Sequence, residues 1–382
     1  MSHTQTLDLA PSTSRWPQWL FVIALIYLLI SAVSLIGTGF KVATGGQAQQ
    51  LFSFASNPYV GLVIGIVATA LIQSSSTVTS LIVGMVAGGL PVAIAVPMIM
   101  GSNVGTTLTN TLVSLGHVRS KDEFRRAFSA ATVHDFFNLL AVLIFLPLEI
   151  AFGLLERSAE ALASLLVGSS NYSMSGLNFM KTLTQPAVTM LEGVANLLPG
   201  IFASIAMVVI GLVVIFLAIT QIGRLLKVLM IGRAKAILHS AIGRGPLTGI
   251  ASGTLVTVLV QSSSTTTSLM VPLAGAGTFS LKQIYPFMLG ANIGTTVTAL
   301  LAATAVSGAV AVHALEIALV HVLFNVFSVA LIFGVPFLRN MPLYGAEWLG
   351  ALAAERKIYA AAWVLGVFFV LPLALIAITS FV

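Results

Sequence analysis

Two stretches decide the fold: Gln73-Ser-Ser-Ser-Thr-Val-Thr-Ser80 and Gln261-Ser-Ser-Ser-Thr-Thr-Thr-Ser268. Each sits in the middle of an apolar run, 58–88 and 246–277, that holds no Asp, Glu, Lys, Arg or His. A bilayer crossing takes roughly 20 apolar residues as a helix. Each run is therefore too short for two crossings and too polar at its centre for one. The reading is a re-entrant hairpin, two short helical arms that enter and leave on one side, with the Gln-Ser-Ser-Ser segment at the tip.

Outward from these tips the chain repeats itself. Pro58-x-x-Gly61 matches Pro246-x-x-Gly249, and Gly65 and Thr69 match Gly253 and Thr257. Gly101-Ser-Asn-Val-Gly-Thr-Thr-Leu-Thr109 matches Gly290-Ala-Asn-Ile-Gly-Thr-Thr-Val-Thr298. His134-Asp-Phe-Phe-Asn138 matches His321-Val-Leu-Phe-Asn325. From Gln73 to Gln261 is 188 residues, from Gly101 to Gly290 189, and from His134 to His321 187. Three motifs in one order at one displacement mark a duplication. Full spans are expected near 19–37, 92–115, 127–148, 198–221, 283–305, 310–335 and 358–381. Three spans and one hairpin per half turn the second copy over, the inverted-repeat plan of many secondary transporters.

Composition agrees. Of 382 residues, 58% are hydrophobic and 7% charged, against about 25% charged in a soluble domain. The net charge of +6 does not indicate nucleic acid, because the basic residues fall in short segments between apolar spans. Arg119, Lys121, Arg125 and Arg126, the loop from Arg224 to Arg244, and Arg339, Arg356 and Lys357 read as cytoplasmic. The first span, preceded by Arg15 and lacking a small-residue cleavage signature, reads as retained rather than as a signal peptide. With no cysteine, disulfide, iron–sulfur and thiolate zinc chemistry are excluded.

The organisation expected is an all-α polytopic membrane protein of inverted repeats, each with a re-entrant hairpin and a discontinuous helix. Residues 1–18 form a cytoplasmic tail and 19–154 the first repeat, with its hairpin at 58–88. Residues 155–196 form an outer connecting loop. Residues 197–335 form the second repeat, with its hairpin at 246–277, and 336–382 a cytoplasmic loop and a terminal spanning helix.

The chemistry follows from placement. Irregular backbone at membrane depth survives only where it lines a cavity or is buried in protein. At each tip the second arm begins, so its free N–H groups and about half a unit of positive charge face whatever the cavity holds. Ser and Thr hydroxyls add rotatable donors, and consecutive N–H groups make an anion nest. For an anion the candidate ligands are Ser74, Ser75, Ser76, Thr77, Ser262, Ser263, Ser264, Thr265, Asn103 and Asn292. The same neutral oxygens suit a small hard cation: Gln73, Gln261, Ser75, Ser263, Asn103, Thr106, Asn292 and Thr295 are the candidate sodium ligands. No basic side chain lies in these segments, and two helix ends offset only about one unit of charge. Bound cations would supply the rest, a physical reason for cation-coupled symport.

Other readings apply to some of these residues. Ser and Thr in spanning helices often bond only to the preceding turn. Asn138 and Asn325 are ligands or helix–helix hydrogen bonders. His134 and Asp135 are ionisable at membrane depth, where function is the default hypothesis; because Val322 stands opposite Asp135 in the repeat, a structural role is favoured. A membrane hydrolase built on Ser, His134 and Asp135 would not need a second Gln-Ser-Ser-Ser, and a passive channel lacks rings of charge or a carbonyl filter.

The motifs resemble the type II sodium-dependent phosphate cotransporter family. The likeness lies in SNPYVGLVIG leading to QSSSTVTS, in GSNVGTTLTNTLVSLGHVRSKDEFRRAFSAATVHDFFN, in GTLVTVLVQSSSTTTS, and in GANIGTTVTALLAA continuing to EIALVHVLFNVFSVALIFGVPF. It covers most of Ser56–Leu148 and Gly245–Phe381. The resemblance implies a non-enzymatic symporter of inorganic phosphate with Na+, both hairpins lining the site. A multi-pass protein of the cell membrane is expected, with the loop charges placing the N-terminus in the cytoplasm and a homodimer as candidate oligomer. The short, cysteine-free 156–196 segment marks a compact, bacterial-type member. A sodium-coupled symporter for a dicarboxylate or sulfate is the alternative.

Overall fold

The computed structural model describes residues 16–168, 175–242, 244–308 and 310–379; most of the tail expected at 1–18 lies outside them. The described residues are helical, without strands. In chain order the helices are α1 Trp16–Ala43, α2 Ala48–Leu51, α3 Pro58–Ile72, α4 Ser75–Ala87, α5 Val92–Thr106, α6 Leu108–Ser114, α7 Lys121–Phe152, α8 Leu154–Gly168 and α9 Ser175–Ala195. There follow α10 Ile201–Ala241, α11 Pro246–Val260, α12 Ser263–Ser268, α13 Met270–Gly275, α14 Leu281–Ala303, α15 Ala311–Ser328, α16 Pro336–Glu355, α17 Ile358–Leu365 and α18 Leu371–Thr379. Five-residue π-helical turns, 329–333 and 366–370, continue α15 and join α17 to α18.

Seven helical segments among the described residues are long and apolar enough to cross a bilayer: Trp16–Ala43, Val92–His117, Lys121–Phe152, Ile201–Leu226, Leu281–Ala303, Ala311–Phe333 and Ile358–Ile378. They coincide with the seven spans expected, and the chain is an all-α polytopic membrane protein. Local chemistry sets their ends. Ser120 caps α7 by accepting from the Glu123 N–H at 3.5 Å, and Gly153 closes it in the left-handed region. Pro58 and Pro246 open α3 and α11, where a missing N–H costs nothing.

Four expectations need correction. The segment from Arg224 to Arg244 is not a loop, because α10 runs on to Ala241. It holds no proline and is rich in Leu, Lys, Arg and Ala, good helix formers. The outer loop is mostly two helices, α8 and α9; Leu155, Ala159 and Ala163 are buried at a four-residue spacing along α8. The loop after residue 335 is the 20-residue helix α16, packed on α7. Finally, only the first half has a discontinuous motif helix. The chain breaks at Thr107 between α5 and α6, whereas α14 runs unbroken through Asn292–Thr296. In the second half the interruption falls at Leu269, between α12 and α13. Pro272 there has no N–H to give the Ser268 carbonyl.

Packing is paired. α3 lies on α5 as α11 lies on α14, and α1 lies on α10. The second hairpin arms cross to the other half: α4 packs on α14 and α15, while α12 and α13 pack on α6 and α7. α8 packs on α15 and α16 on α7. Glycines allow the closest of these approaches. A Cβ on Gly101 would collide with the Leu62 carbonyl, and one on Gly290 with the Ile250 carbonyl. Small residues let helix backbones touch where lipid supplies no hydrophobic drive. Gly290→Ala is expected to cost at least about 2 kcal/mol, because the obstacle is rigid backbone. Gly116→Ala, with nothing within 4 Å of its Cβ, should stay within about 0.5 kcal/mol of the parent. Thermal unfolding in detergent compares the two.

Candidate solute-binding site

The two tips are built alike. Gln73 ends α3 at φ 58° and Gln261 ends α11 at φ 55°. They are the two non-glycine residues with positive φ among the described residues, a conformation costly for most side chains. Each amide holds its turn. The Gln73 Nε2 donates to the Ala70 carbonyl at 2.5 Å, and its Oε1 accepts from the Thr109 hydroxyl at 2.9 Å. The Gln261 Nε2 donates to the Val258 carbonyl at 2.7 Å, and its Oε1 accepts from the Thr298 hydroxyl at 3.2 Å. Thr109 and Thr298 end the two repeated segments 101–109 and 290–298, and they join each tip to its motif helix.

The next residue caps the following arm. Ser74 Oγ accepts from the Thr77 N–H at 3.3 Å, and Ser262 Oγ from the Thr265 N–H at 3.2 Å. The two hydroxyl pairs, Ser74 with Thr77 and Ser262 with Thr265, lie at 2.8 and 3.0 Å. The first N–H groups of a helix have no partner within it. With Thr77 and Thr265 served by the caps, the Ser75, Ser76, Ser263 and Ser264 N–H groups remain.

The tips meet on one side chain. Thr295 Oγ1 lies 3.3 Å from Ser76 Oγ of the first tip and 3.3 Å from Ser263 Oγ of the second. Ser76, Ser263 and Thr295 are 5%, 2% and 3% exposed, so the junction is closed to solvent in this conformation. One helical turn before Thr295 stands Asn292, in a buried network of neutral groups. Its Oδ1 accepts from His134 Nε2 at 2.6 Å, and its Nδ2 donates to Asn138 Oδ1 at 2.8 Å. His134 Nδ1 accepts from Asn110 Nδ2 at 3.3 Å, and Asn110 Oδ1 accepts from the Thr267 hydroxyl at 2.9 Å. This pattern assigns His134 the neutral tautomer with its proton on Nε2. The mirror contact is His321 Nε2 to Asn103 Oδ1 at 3.3 Å.

The Na+/Pi-cotransporter family model matches residues 28–182 and 214–338, which include both tips and both motif helices. The chain belongs to that family. The sodium-dependent phosphate transport protein 2B of Homo sapiens is 31% identical over 448 residues, covering 94% of this chain and 65% of the relative. The protein of that name from Pongo abelii gives the same figures. The sodium-dependent phosphate transport protein 2A of Rattus norvegicus is 32% identical over 424 residues, covering 92% of this chain and 66% of the relative. The chain spans just under two thirds of the length of these relatives. No solved structure matches it.

Within this family member the candidate ligands separate. Ser76, Ser263 and Thr295 come together, and Ser75 is buried next to them in sequence. Ser74, Thr77, Ser262 and Thr265 are engaged in capping, and Gln73 and Gln261 in holding the turns. Thr106, the counterpart of Thr295, donates to the Ser102 carbonyl of its own helix at 2.9 Å. Asn292 has both ends of its amide occupied, whereas Asn103 keeps an unpartnered Nδ2. Asn110 and Thr267 belong to the network without having been singled out in the sequence; Asn110 has Ala299 opposite it in the repeat, so duplication did not flag it. Both ring nitrogens of His134 face asparagines, Asn110 and Asn292, rather than a serine. Asp135, also buried, accepts from the Trp363 indole N–H at 2.7 Å and from the Thr111 hydroxyl at 3.5 Å, tying α17 to α7. Among the described residues no group of three His, Cys, Asp or Glu is placed to hold a metal ion; the oxygens at the tips are neutral.

Proposed function

We propose that this chain is a sodium-coupled symporter that imports inorganic phosphate by alternating access. The observation that carries the reading is the meeting of both Gln-Ser-Ser-Ser tips at Thr295 in a buried site without a charged side chain. Four tip N–H groups, from Ser75, Ser76, Ser263 and Ser264, would bind the phosphate oxygens, with the serine hydroxyls beside them. Two helix N-termini contribute about one unit of positive charge together, less than the charge of a phosphate dianion. Na+ on the neutral oxygens of Gln73, Gln261, Ser75, Ser263, Asn103, Asn292 and Thr295 would make up the difference, with Thr106 left to the Ser102 carbonyl of its own helix. Phosphate affinity then depends on Na+, which is the coupling. The relatives named above carry sodium-dependent phosphate transport in their names, which supports the same cargo here.

On this reading the hairpins are re-entrant and the halves are inverted repeats about the midplane. The paired packing of α3 on α5 and α11 on α14, and the crossed second arms, support that plan. Charge supports the orientation. Lys121 pairs with Glu355 at 2.6 Å and Lys357 sits 3.9 Å over the Phe124 ring, so the basic clusters at 119–126 and 356–357 share one end of the bundle. Glu149, Glu156 and Glu160 lie at the other end of α7 and on α8. The basic end would be cytoplasmic in the cell membrane.

Uptake of labelled phosphate into proteoliposomes at clamped membrane potential tests this. An inward Na+ gradient should drive uphill accumulation that succinate and sulfate do not compete away. Uptake indifferent to Na+ would overturn the proposal, and strong competition by succinate or sulfate would reassign the anion.

A further inference from the structure

One asymmetry between the halves sits beside the tips. In a continuous helix the Asn103 carbonyl would accept from the Thr107 N–H. Here Thr107 N–H turns to the Val104 carbonyl at 3.3 Å, and α5 breaks. The freed Asn103 carbonyl accepts instead from Asn138 Nδ2 at 2.8 Å, while Asn138 Oδ1 accepts from Asn292 Nδ2 at 2.8 Å. Asn138 on α7 thus ties the two motif helices together. Its counterpart Asn325 does not. Asn325 Nδ2 donates to the His321 carbonyl of its own helix at 2.8 Å, α14 is unbroken at Thr296, and Asn103 Nδ2 is buried without a partner. A buried amide N–H left unpaired costs more than an average hydrogen bond gains, so it marks an arrangement with an alternative close at hand.

The two ends of the bundle differ in the same conformation. At the end holding Gly275, Arg126 Nε donates to the Gly275 carbonyl at 2.8 Å, and Val271 packs against Ala127 and Ala131. At the opposite end of α14 a cavity of about 430 Å³ opens among Ser34, Thr38, Lys41, Ala87, Ala305 and Ser307.

We propose that Asn138 and Asn325 are positioning residues that alternate as the tie between the motif helices, one for each access state. In the exchanged state α5 is continuous and α14 breaks at Thr296. The freed Asn292 carbonyl then accepts from Asn325 Nδ2, and Asn325 Oδ1 takes the idle Asn103 Nδ2. With Asn138 Nδ2 turning to the His134 carbonyl of its own helix, as Asn325 Nδ2 now does to that of His321, the number of hydrogen bonds is conserved, as a switch between two states of similar energy requires. The inference rests on the alternating-access part of the proposed function and adds the element that is exchanged.

The cysteine-free chain allows a direct test without phosphate or Na+. Single reporters Val271→Cys and Thr38→Cys are labelled with a water-soluble maleimide on purified protein in detergent. Asn138→Ala removes the present tie and should raise the ratio of Val271→Cys to Thr38→Cys labelling by about tenfold. Asn325→Ala removes the alternative tie and should lower that ratio. If Asn138→Ala does not elute as folded protein, Asn138→Ser serves in its place. Shifts of opposite sign support the exchange; shifts of the same sign, or ratios unchanged within about twofold, overturn it. Because no cargo is present, a chain that failed the uptake test would still report on the switch.

Discussion

Thr295→Val is expected to reduce sodium-driven phosphate uptake by about a hundredfold while the protein still folds. Each hydrogen bond lost where the alternative is an unsatisfied buried group is worth of order 1.4 kcal/mol, or about tenfold. Thr295 is shared by Ser76 and Ser263, each at 3.3 Å, so its removal releases both tips at once. Valine keeps the shape and the β-branch, and packing around position 295 is retained. Thr106 is the counterpart in the first repeat, but its hydroxyl serves only the Ser102 carbonyl. Thr106→Val should therefore lower uptake by no more than about threefold, about 0.65 kcal/mol. Initial uptake rates normalised to purified protein give both numbers. Equal loss in the two variants would mean that the meeting at Thr295 is not what matters.

The second large effect concerns the tip turns. Gln261 is in the left-handed region at φ 55°, where a β-branched residue is a true outlier. Gln261→Val should cost about 1–3 kcal/mol in backbone strain in addition to the clamp between the Val258 carbonyl and Thr298. Gln261→Gly separates these terms. Glycine adopts this backbone freely, so it loses the clamp without the strain, and its melting temperature should lie above that of Gln261→Val. Its uptake should nonetheless fall by about tenfold, because the lost amide no longer holds the tip to Thr298. Stability higher in Gly than in Val, with uptake retained only by Gln, is the expected pattern. A glycine variant that transports as well as the parent would show that the turn alone suffices and that the Gln amide carries no function.

These turns show what a sequence of this kind reveals. Gln73 and Gln261 have no intrinsic preference for positive φ, so a turn there was legible only because the same residue recurs with the same flanks. The spans were legible for a simpler reason: apolar runs of about 20 residues without charge have few other fates. α16 was hidden by Arg339, Pro342 and Glu347, which resemble loop composition. Yet its buried residues Leu343, Ala346, Leu349, Gly350 and Ala353 follow a helical period, because this helix packs on α7 and needs only one apolar face. α8 was hidden in the same way.

In the site, the residue types and the absence of charge were legible, and the pairings were not. His134 with Asn292 and His321 with Asn103 are contacts between halves, 158 and 218 residues apart, and no local pattern encodes them. Nor does any local pattern say that α5 breaks at Thr107 while α14, with the same Gly-Thr-Thr, does not. The difference depends on which asparagine, Asn138 or Asn325, takes the released carbonyl.

Two uncharged tips should hold an anion only with the help of bound cations. Equilibrium binding of labelled phosphate to the purified protein, in Na+ and then in choline at equal ionic strength, tests it most directly. Saturable binding in Na+ and at least about a tenfold weaker affinity in choline, a loss of about 1.4 kcal/mol or more, are expected. Equal affinity in the two salts would contradict it.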